Sequence, residues 1–318
     1  MYLNGKGIFI WQIKPILNGD PAAIAKAAAE AGLTHVLVKV ADGRYKYNFY
    51  NGQDLVPAVV QQLRQRGIKV WGWHYVYGAH PTEEADIAAV RIQQLALDGY
   101  VINAEKEFKV AAGKTMAKTL MQALRAKVSG VPVALSTYRY LSVHPEFPFQ
   151  AFHPYIDLCM PQVYWQAATN SAQQLRKSYN EYKAGMPGLP VIPTGPCYRV
   201  TGWAPTPEQL VAFMDEARVI GLTAANFWDW GGAADKNGVL WNAIKAYTWP
   251  GSTPTPPPTP SPAPGIDPGE RISRLDELSH ALSYYRNRRE TISGNARITE
   301  LELLRAYLDS RTASLNKA

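Results

Sequence analysis

The stretch from Lys69 to Phe108 decides the fold. It reads KVWGWHYVY (69–77), a turn GAHPT (78–82), EEADIAAVRIQQLALDG (83–99) and YVINAEKEF (100–108). The first and last pieces are short, aromatic and β-branched, as strands are, and the middle piece repeats apolar residues at helical spacing. Strand, helix, strand in about 40 residues is a βαβ unit, which requires the two strands to run parallel.

The same rhythm extends in both directions. Further strands are predicted at GIFIWQI (7–13), HVLVKVA (35–41), PVALSTY (132–138), DLCMPQVYW (157–165), PVIPTGPCY (190–198) and AANFWDW (224–230). Helical patterns separate them at 21–32, 54–67, 117–128, 173–185 and 207–221, and several stop at a glycine, the residue that ends a helix in the left-handed conformation. Eight such rounds over residues 1–249 predict an α/β fold of the (β/α)8 type. An open doubly wound sheet would need a glycine-rich phosphate loop after its first strand, and IWQIKPILNGD is not one.

The bulk composition agrees with a folded chain carrying one large domain. Of 318 residues, 47% are hydrophobic and 19% charged, enough apolar material for a substantial core. The net charge of +7 favours anionic partners, but the densest basic run, Arg286-Asn287-Arg288-Arg289, is short and reads as a solvated helix face. Nucleic acid is therefore not expected as a partner. Cys159 and Cys197 each sit in an apolar strand and read as buried thiols rather than a disulfide or metal pair. No cofactor and no metal site is expected. No run of 18 apolar residues marks a membrane span, and MYLNGKGIFIWQIK lacks the apolar core of a signal peptide. Action outside the producing cell would then need non-classical release, or residence in a phage-like particle.

Residues 250–269, PGSTPTPPPTPSPAPGIDPG, are too rich in proline for helix or ladder and form a linker. At ~3.1 Å per residue in polyproline II geometry it spans roughly 50 to 60 Å. Residues 270–318 carry two more helical patterns, with Leu275, Leu278, Leu282 and Tyr285 and then Leu301, Leu304 and Leu308, each opened by a capping pattern. Two helices of this length bury too little surface alone, so self-association or docking on a protein partner is expected.

In a barrel of this kind the site lies at the C-terminal ends of the strands. Those ends bring Trp11 and Gln12; Lys39 and Asp42; His74, Tyr75 and Tyr77; Asn103, Glu105 and Glu107; Thr137 and Tyr138; Gln162, Tyr164 and Trp165; Tyr198; and Trp228, Asp229 and Trp230. Alternation along YVINAEKEF places Val101, Asn103, Glu105 and Glu107 on one face and Ile102, Ala104 and Phe108 on the other. The polar row must face the lumen, because a carboxylate under the helices would be desolvated at severe cost. A carboxyl group in a partly dry aromatic cleft suits the general acid of glycosidic cleavage, and sugar rings stack on exposed tryptophan and tyrosine. The competing expectation is a Glu105 held by Lys39 across the lumen. His74 has no second ligand at metal spacing and also fits a hydrogen-bonded wall residue. Asp42, Glu107 and Asp229 are the candidates for a second carboxylate.

The order of these motifs resembles glycoside hydrolase family 25, the lysozymes or muramidases, with features similar to family 18 chitinases. GIFIWQ, VKVADG, GWHYVYG, NAE, STY and FWDW resemble the family 25 strand motifs, and MPQVYW resembles the sixth strand of chitinase-like barrels. The resemblance implies a glycosidase of N-acetylhexosamine polymers, foremost bacterial peptidoglycan, with Glu105 as general acid/base. It departs from family 25 at Phe9 and at Asn103, where that family carries aspartates. Asn103 retains the capacity to orient a substrate N-acetyl group, as the Asn-x-Glu pair of family 85 does, but supplies no charge. Gln12, Asp42, His74, Tyr75, Tyr138, Gln162, Tyr164, Trp165 and Trp228 are the expected substrate contacts. The alternative is a catalytically lapsed barrel kept as a glycan-binding or structural module of a larger assembly.

Overall fold

The computed structural model describes residues 3–233 and 238–251. The expected linker beyond Gly251 and the expected helical segment at 270–318 lie outside the described residues. Eight parallel strands form the barrel: β1 (Gly5–Ile10), β2 (Leu33–Asp42), β3 (Lys69–Val76), β4 (Gly99–Ala104), β5 (Val133–Thr137), β6 (Leu158–Pro161), β7 (Thr194–Pro196) and β8 (Ala224–Trp228). They follow the order β7-β8-β1-β2-β3-β4-β5-β6. The remaining seam, between β6 and β7, is bridged at Cys159 with Val191 and at Gln162 with Thr194.

The helices lie between successive strands, except for the last two, which follow β8. They are α1 (Pro21–Glu30), α2 (Val56–Arg64), α3 (Pro81–Leu95), α4 (Gly113–Lys127), the short α5 (Phe149–Phe152), α6 (Ser171–Gly185), α7 (Pro207–Val219), the short α8 (Trp230–Ala233) and α9 (Val239–Ala246). Local chemistry sets their starts. Asp20 accepts from Ala22 N and Ala23 N ahead of Pro21, and Thr206 and Gln209 form a reciprocal capping box on α7.

Strand alternation produces two separate cores. Val36, Val38, Ile102, Leu135 and Phe227 point outward into the layer beneath the helices. Phe9, Leu37, Trp71, Trp73, Val101, Ala134, Leu158, Met160 and Ile192 point inward and fill the lumen, so the barrel is solid below its mouth. At the lower end of the lumen His35 hydrogen-bonds Asn226 Oδ1 at 2.6 Å. Gly7 makes that possible: a Cβ there would lie 2.0 Å from His35 Nε2. Cys159 and Cys197 are buried and form no disulfide. No helix among the described residues is long and apolar enough to cross a membrane.

Several predicted boundaries move. Strand β4 stops at Ala104 rather than Phe108, because the chain folds into a 3-10 turn over Lys106–Phe108. Strand β6 stops at Pro161. Helix α3 ends in a left-handed Ala96, and Gly99, expected to close it, instead opens β4, where a Cβ would lie 2.1 Å from the Trp71 ring.

Candidate active site

At the C-terminal mouth of the barrel lies a cleft of about 470 Å³, lined by Trp11, Lys39, Asp42, Tyr47, Trp73, Tyr75, Tyr77, Asn103, Glu105, Gln162, Tyr164 and Trp228. The ends of β1, β2, β3, β4, β6 and β8 reach it because the last inward side chains there have no layer above. Trp73 and Trp228 cover the apolar lumen, 5.0 Å apart edge to face, and Trp11, 46% exposed, stacks on Trp228 at the rim. The Trp11 and Trp228 faces offer sugar rings flat apolar surface.

Glu105 is the half-buried residue at the end of β4. Its Oε1 accepts from Asn103 Nδ2 at 2.9 Å and from Gln162 Nε2 at 2.9 Å, and Gln162 also reaches Asn103 Oδ1 at 3.1 Å. The triad brings β4 together with the segment after β6, and no cation takes part. Lys39 is instead paired with Asp42 at 3.2 Å and lies over the rings of Tyr47 and Trp73. Glu105 is thus not held by Lys39, which removes the structural role weighed for it from sequence. Its Oε2 accepts no hydrogen bond from the described residues.

The candidate second carboxylates are all engaged elsewhere. Asp42 holds Lys39 and accepts from Tyr77 OH at 3.1 Å. Glu107 is carried off the strand by the 3-10 turn and accepts from Tyr75 OH at 2.9 Å. Asp229 Oδ1 accepts from Gly232 N at 3.0 Å at the start of α8. Burial raises the Asp229 pKa above the ordinary carboxylate range, against the lowering effect of its backbone hydrogen bonds. The Trp228–Asp229 peptide is cis.

The tyrosines register the acidic centre. Tyr75 is raised above the usual phenol pKa by burial and then by Glu105 and Glu107, and Tyr164 by burial, Tyr198 and Glu105. Tyr138, expected as a substrate contact but not among the residues lining the cleft, is pushed up to about 12 by burial and then by Glu105 and Glu107. All three stay protonated near neutral pH and can donate hydrogen bonds.

Other predicted contacts lie elsewhere. Trp165 is fully buried, packs on Phe213 and donates to Gln209 Oε1 at 3.0 Å, so it belongs to the helix-side core rather than to a sugar subsite. His74 faces outward from β3, fully buried, with Nε2 donating to Gly43 O at 2.6 Å and its ring edge-on to Tyr100. Period-two alternation explains it: if Trp73 and Tyr75 face the lumen, His74 cannot. Gln12 is exposed and does not line the cleft.

Two lining residues, Trp73 and Tyr47, lie outside the strand-end residues singled out from the sequence. Trp73 was legible from the same alternation. Tyr47 was not, because it arrives on the loop after β2, fixed there by Asn48. The Asn48 amide donates to Trp11 O and Lys39 O at 3.1 and 2.8 Å and its Oδ1 accepts from Ile13 N at 2.8 Å.

No protein-family model matches the chain, and no curated protein matches it by sequence. Solved structures do share its fold. A class V chitinase from Nicotiana tobaccum matches at TM-score 0.60 and 13% identity, over 79% of this chain and all of that one. An endo-1,4-beta-D-mannanase from Thermotoga petrophila matches at TM-score 0.56 and 11% identity, over 75% and 93%. The active domain 2 of a thermostable chitinase from Pyrococcus furiosus, solved with chito-oligosaccharides, matches at TM-score 0.55 and 11% identity, over 72% and 84%. The barrel is therefore of the architecture that these glycoside hydrolases use.

Proposed function

We propose that the chain is a glycoside hydrolase of N-acetylhexosamine polymers, with Glu105 as general acid/base. The observation that carries the reading is a carboxyl group standing without a cation in an aromatic cleft, held on one oxygen by two amides, with the other oxygen unengaged. The chitinases that share the fold and the motif resemblance to muramidases have the N-acetylglucosamine unit in common. The proposed substrate is a polymer of that unit, foremost bacterial peptidoglycan.

In the proposed reaction a sugar stacks on Trp228 and Trp11, and Glu105 gives its proton to the glycosidic oxygen as the bond to C1 breaks. The acetamido oxygen of the same sugar closes on C1, oriented by Asn103. Glu105, now a carboxylate, takes a proton from the water that opens the resulting ring, which restores both the sugar and the acid. The substrate supplies the nucleophile, so no protein carboxylate is needed within bonding distance of C1.

A second reading, a glycan-binding barrel without turnover, is favoured by one observation. Asn103 is neutral, and Asp42, Glu107 and Asp229 are each committed to other partners. Incubating the protein with chito-oligosaccharides and purified cell-wall glycan separates the two: new reducing ends, identified by product mass, support hydrolysis, and binding without products supports the second reading.

A further inference from the structure

The wall of the cleft at the end of β3 carries two phenols whose protons are already placed. Tyr75 OH donates to Glu107 Oε2 at 2.9 Å, and Tyr77 OH donates to Asp42 Oδ1 at 3.1 Å. A carboxylate accepts and does not donate, so each hydroxyl spends its one proton there. Both tyrosines line the cleft, whereas Glu107 does not. Nothing among the described residues donates to the Tyr75 oxygen. That oxygen is left with lone pairs and no proton to give, so towards a ligand Tyr75 is an acceptor alone.

Its place gives that acceptor a use. Tyr75 on β3 is the register partner of Asn103 on β4, so the two side chains stand side by side at the mouth, next to Glu105. Asn103 Oδ1 already accepts from Gln162, and Asn103 Nδ2 donates to Glu105. An acetamido group brought to Glu105 carries one N–H, which needs an acceptor once water is displaced. Glu105 Oε2 is taken by the glycosidic oxygen in the proposed reaction, and Tyr75 is the neighbouring acceptor to which no described group donates. Burial first, and then the charges of Glu105 and Glu107, raise the Tyr75 pKa, which keeps the phenol protonated and its proton on Glu107.

We propose that Tyr75, oriented by Glu107, accepts the N–H of the substrate's acetamido group. The inference rests on the glycosidase reading and names the group that selects an N-acetyl sugar. An aromatic platform holds any hexose ring, whereas an acceptor with its proton turned away selects a ring that brings an N–H. An ester or carboxylate oxygen at the same position would set lone pair against lone pair, so the wall discriminates by repulsion as well as by attraction. The sugar beside Glu105 is then one whose amide is intact.

The test uses the full chain with Glu105→Gln to prevent turnover. Calorimetry measures its affinity for chitotetraose and for the same tetrasaccharide with each acetamido group replaced by an acetate ester, which keeps the carbonyl and the shape but has no N–H. The amide ligand should bind more tightly by roughly fivefold or more. Tyr75→Phe should remove that preference by weakening the amide ligand alone, the ester serving as the control for folding. Glu107→Leu frees the Tyr75 proton to turn into the cleft and should reduce the preference with the phenol still in place, whereas Glu107→Gln should retain it. Equal weakening of both ligands by Tyr75→Phe, a preference that survives Tyr75→Phe or Glu107→Leu, or no preference in the parent overturns the inference while leaving the glycan reading intact. A parent that binds neither ligand overturns both.

Discussion

Gln162, just past the end of β6, donates one amide nitrogen to Glu105 Oε1 at 2.9 Å and to Asn103 Oδ1 at 3.1 Å, tying together two segments separated in the barrel by β5. The bond fixes which oxygen of Glu105 is occupied and so which one faces substrate. Gln162→Leu removes one of the two bonds that hold Oε1, leaving that from Asn103, without touching the acid. Losing this hydrogen bond to the acid/base lowers kcat by roughly 10- to 100-fold. KM should change much less, and steady-state kinetics on a defined oligosaccharide separates the two.

Glu107 is the control for Glu105. It lies two residues away, but it sits in a 3-10 turn, bonds to Tyr75 and does not line the cleft. Glu107→Gln keeps an acceptor for Tyr75 and should cost less than about tenfold in kcat/KM, the scale of one neutral hydrogen bond. A loss as large as that of Glu105→Gln would instead make the two glutamates a working pair.

Acid sensitivity should come from the two fully buried histidines. Burial lowers the pKa of His35 and of His74 from the usual 6.5 to about 4. The unfolded chain therefore binds more protons between those limits. The stabilisation is complete above about pH 6.5 and is lost as pH falls towards 4, on the order of 3 kcal/mol for each residue. Denaturant unfolding at a series of pH values should show this slope, and His35→Gln or His74→Gln should each flatten it.

The floor of the lumen makes a separate prediction. A methyl group at Gly7 would meet His35 Nε2 at 2.0 Å and Asn226 Oδ1 at 2.7 Å, and both partners are buried with no room to retreat. Gly7→Ala should destabilise the barrel by about 1 to 3 kcal/mol or more, measured as a drop in the unfolding midpoint.

Much of this was legible in the sequence, and the failures share a cause. The repeat of eight strand and helix patterns specifies the barrel because periodicity is a property of each segment by itself. Alternation places Val101, Asn103 and Glu105 inward and Ile102 and Ala104 outward, as found. It fails where a strand ends, since pattern alone does not mark the turn. Glu107 and Trp165 were read as continuations of β4 and β6, but the chain had already left the sheet at Ala104 and Pro161. His74 was misplaced for the opposite reason: the alternation was present, and its polar side chain was weighted above it. Tyr47 depends on how a loop folds back, and the Lys39–Asp42 pair on a register shift within β2 between Lys39 and Ala41, which only the three-dimensional structure shows.

The central claim rests on Glu105, and the most direct measurement is the release of reducing ends from an N-acetylhexosamine polymer by the wild-type chain and by Glu105→Gln at equal concentration. Removing the proton donor at unchanged shape should lower turnover by about 100-fold or more while leaving binding of the same polymer within a few-fold. Turnover by Glu105→Gln at the wild-type rate would contradict the assignment.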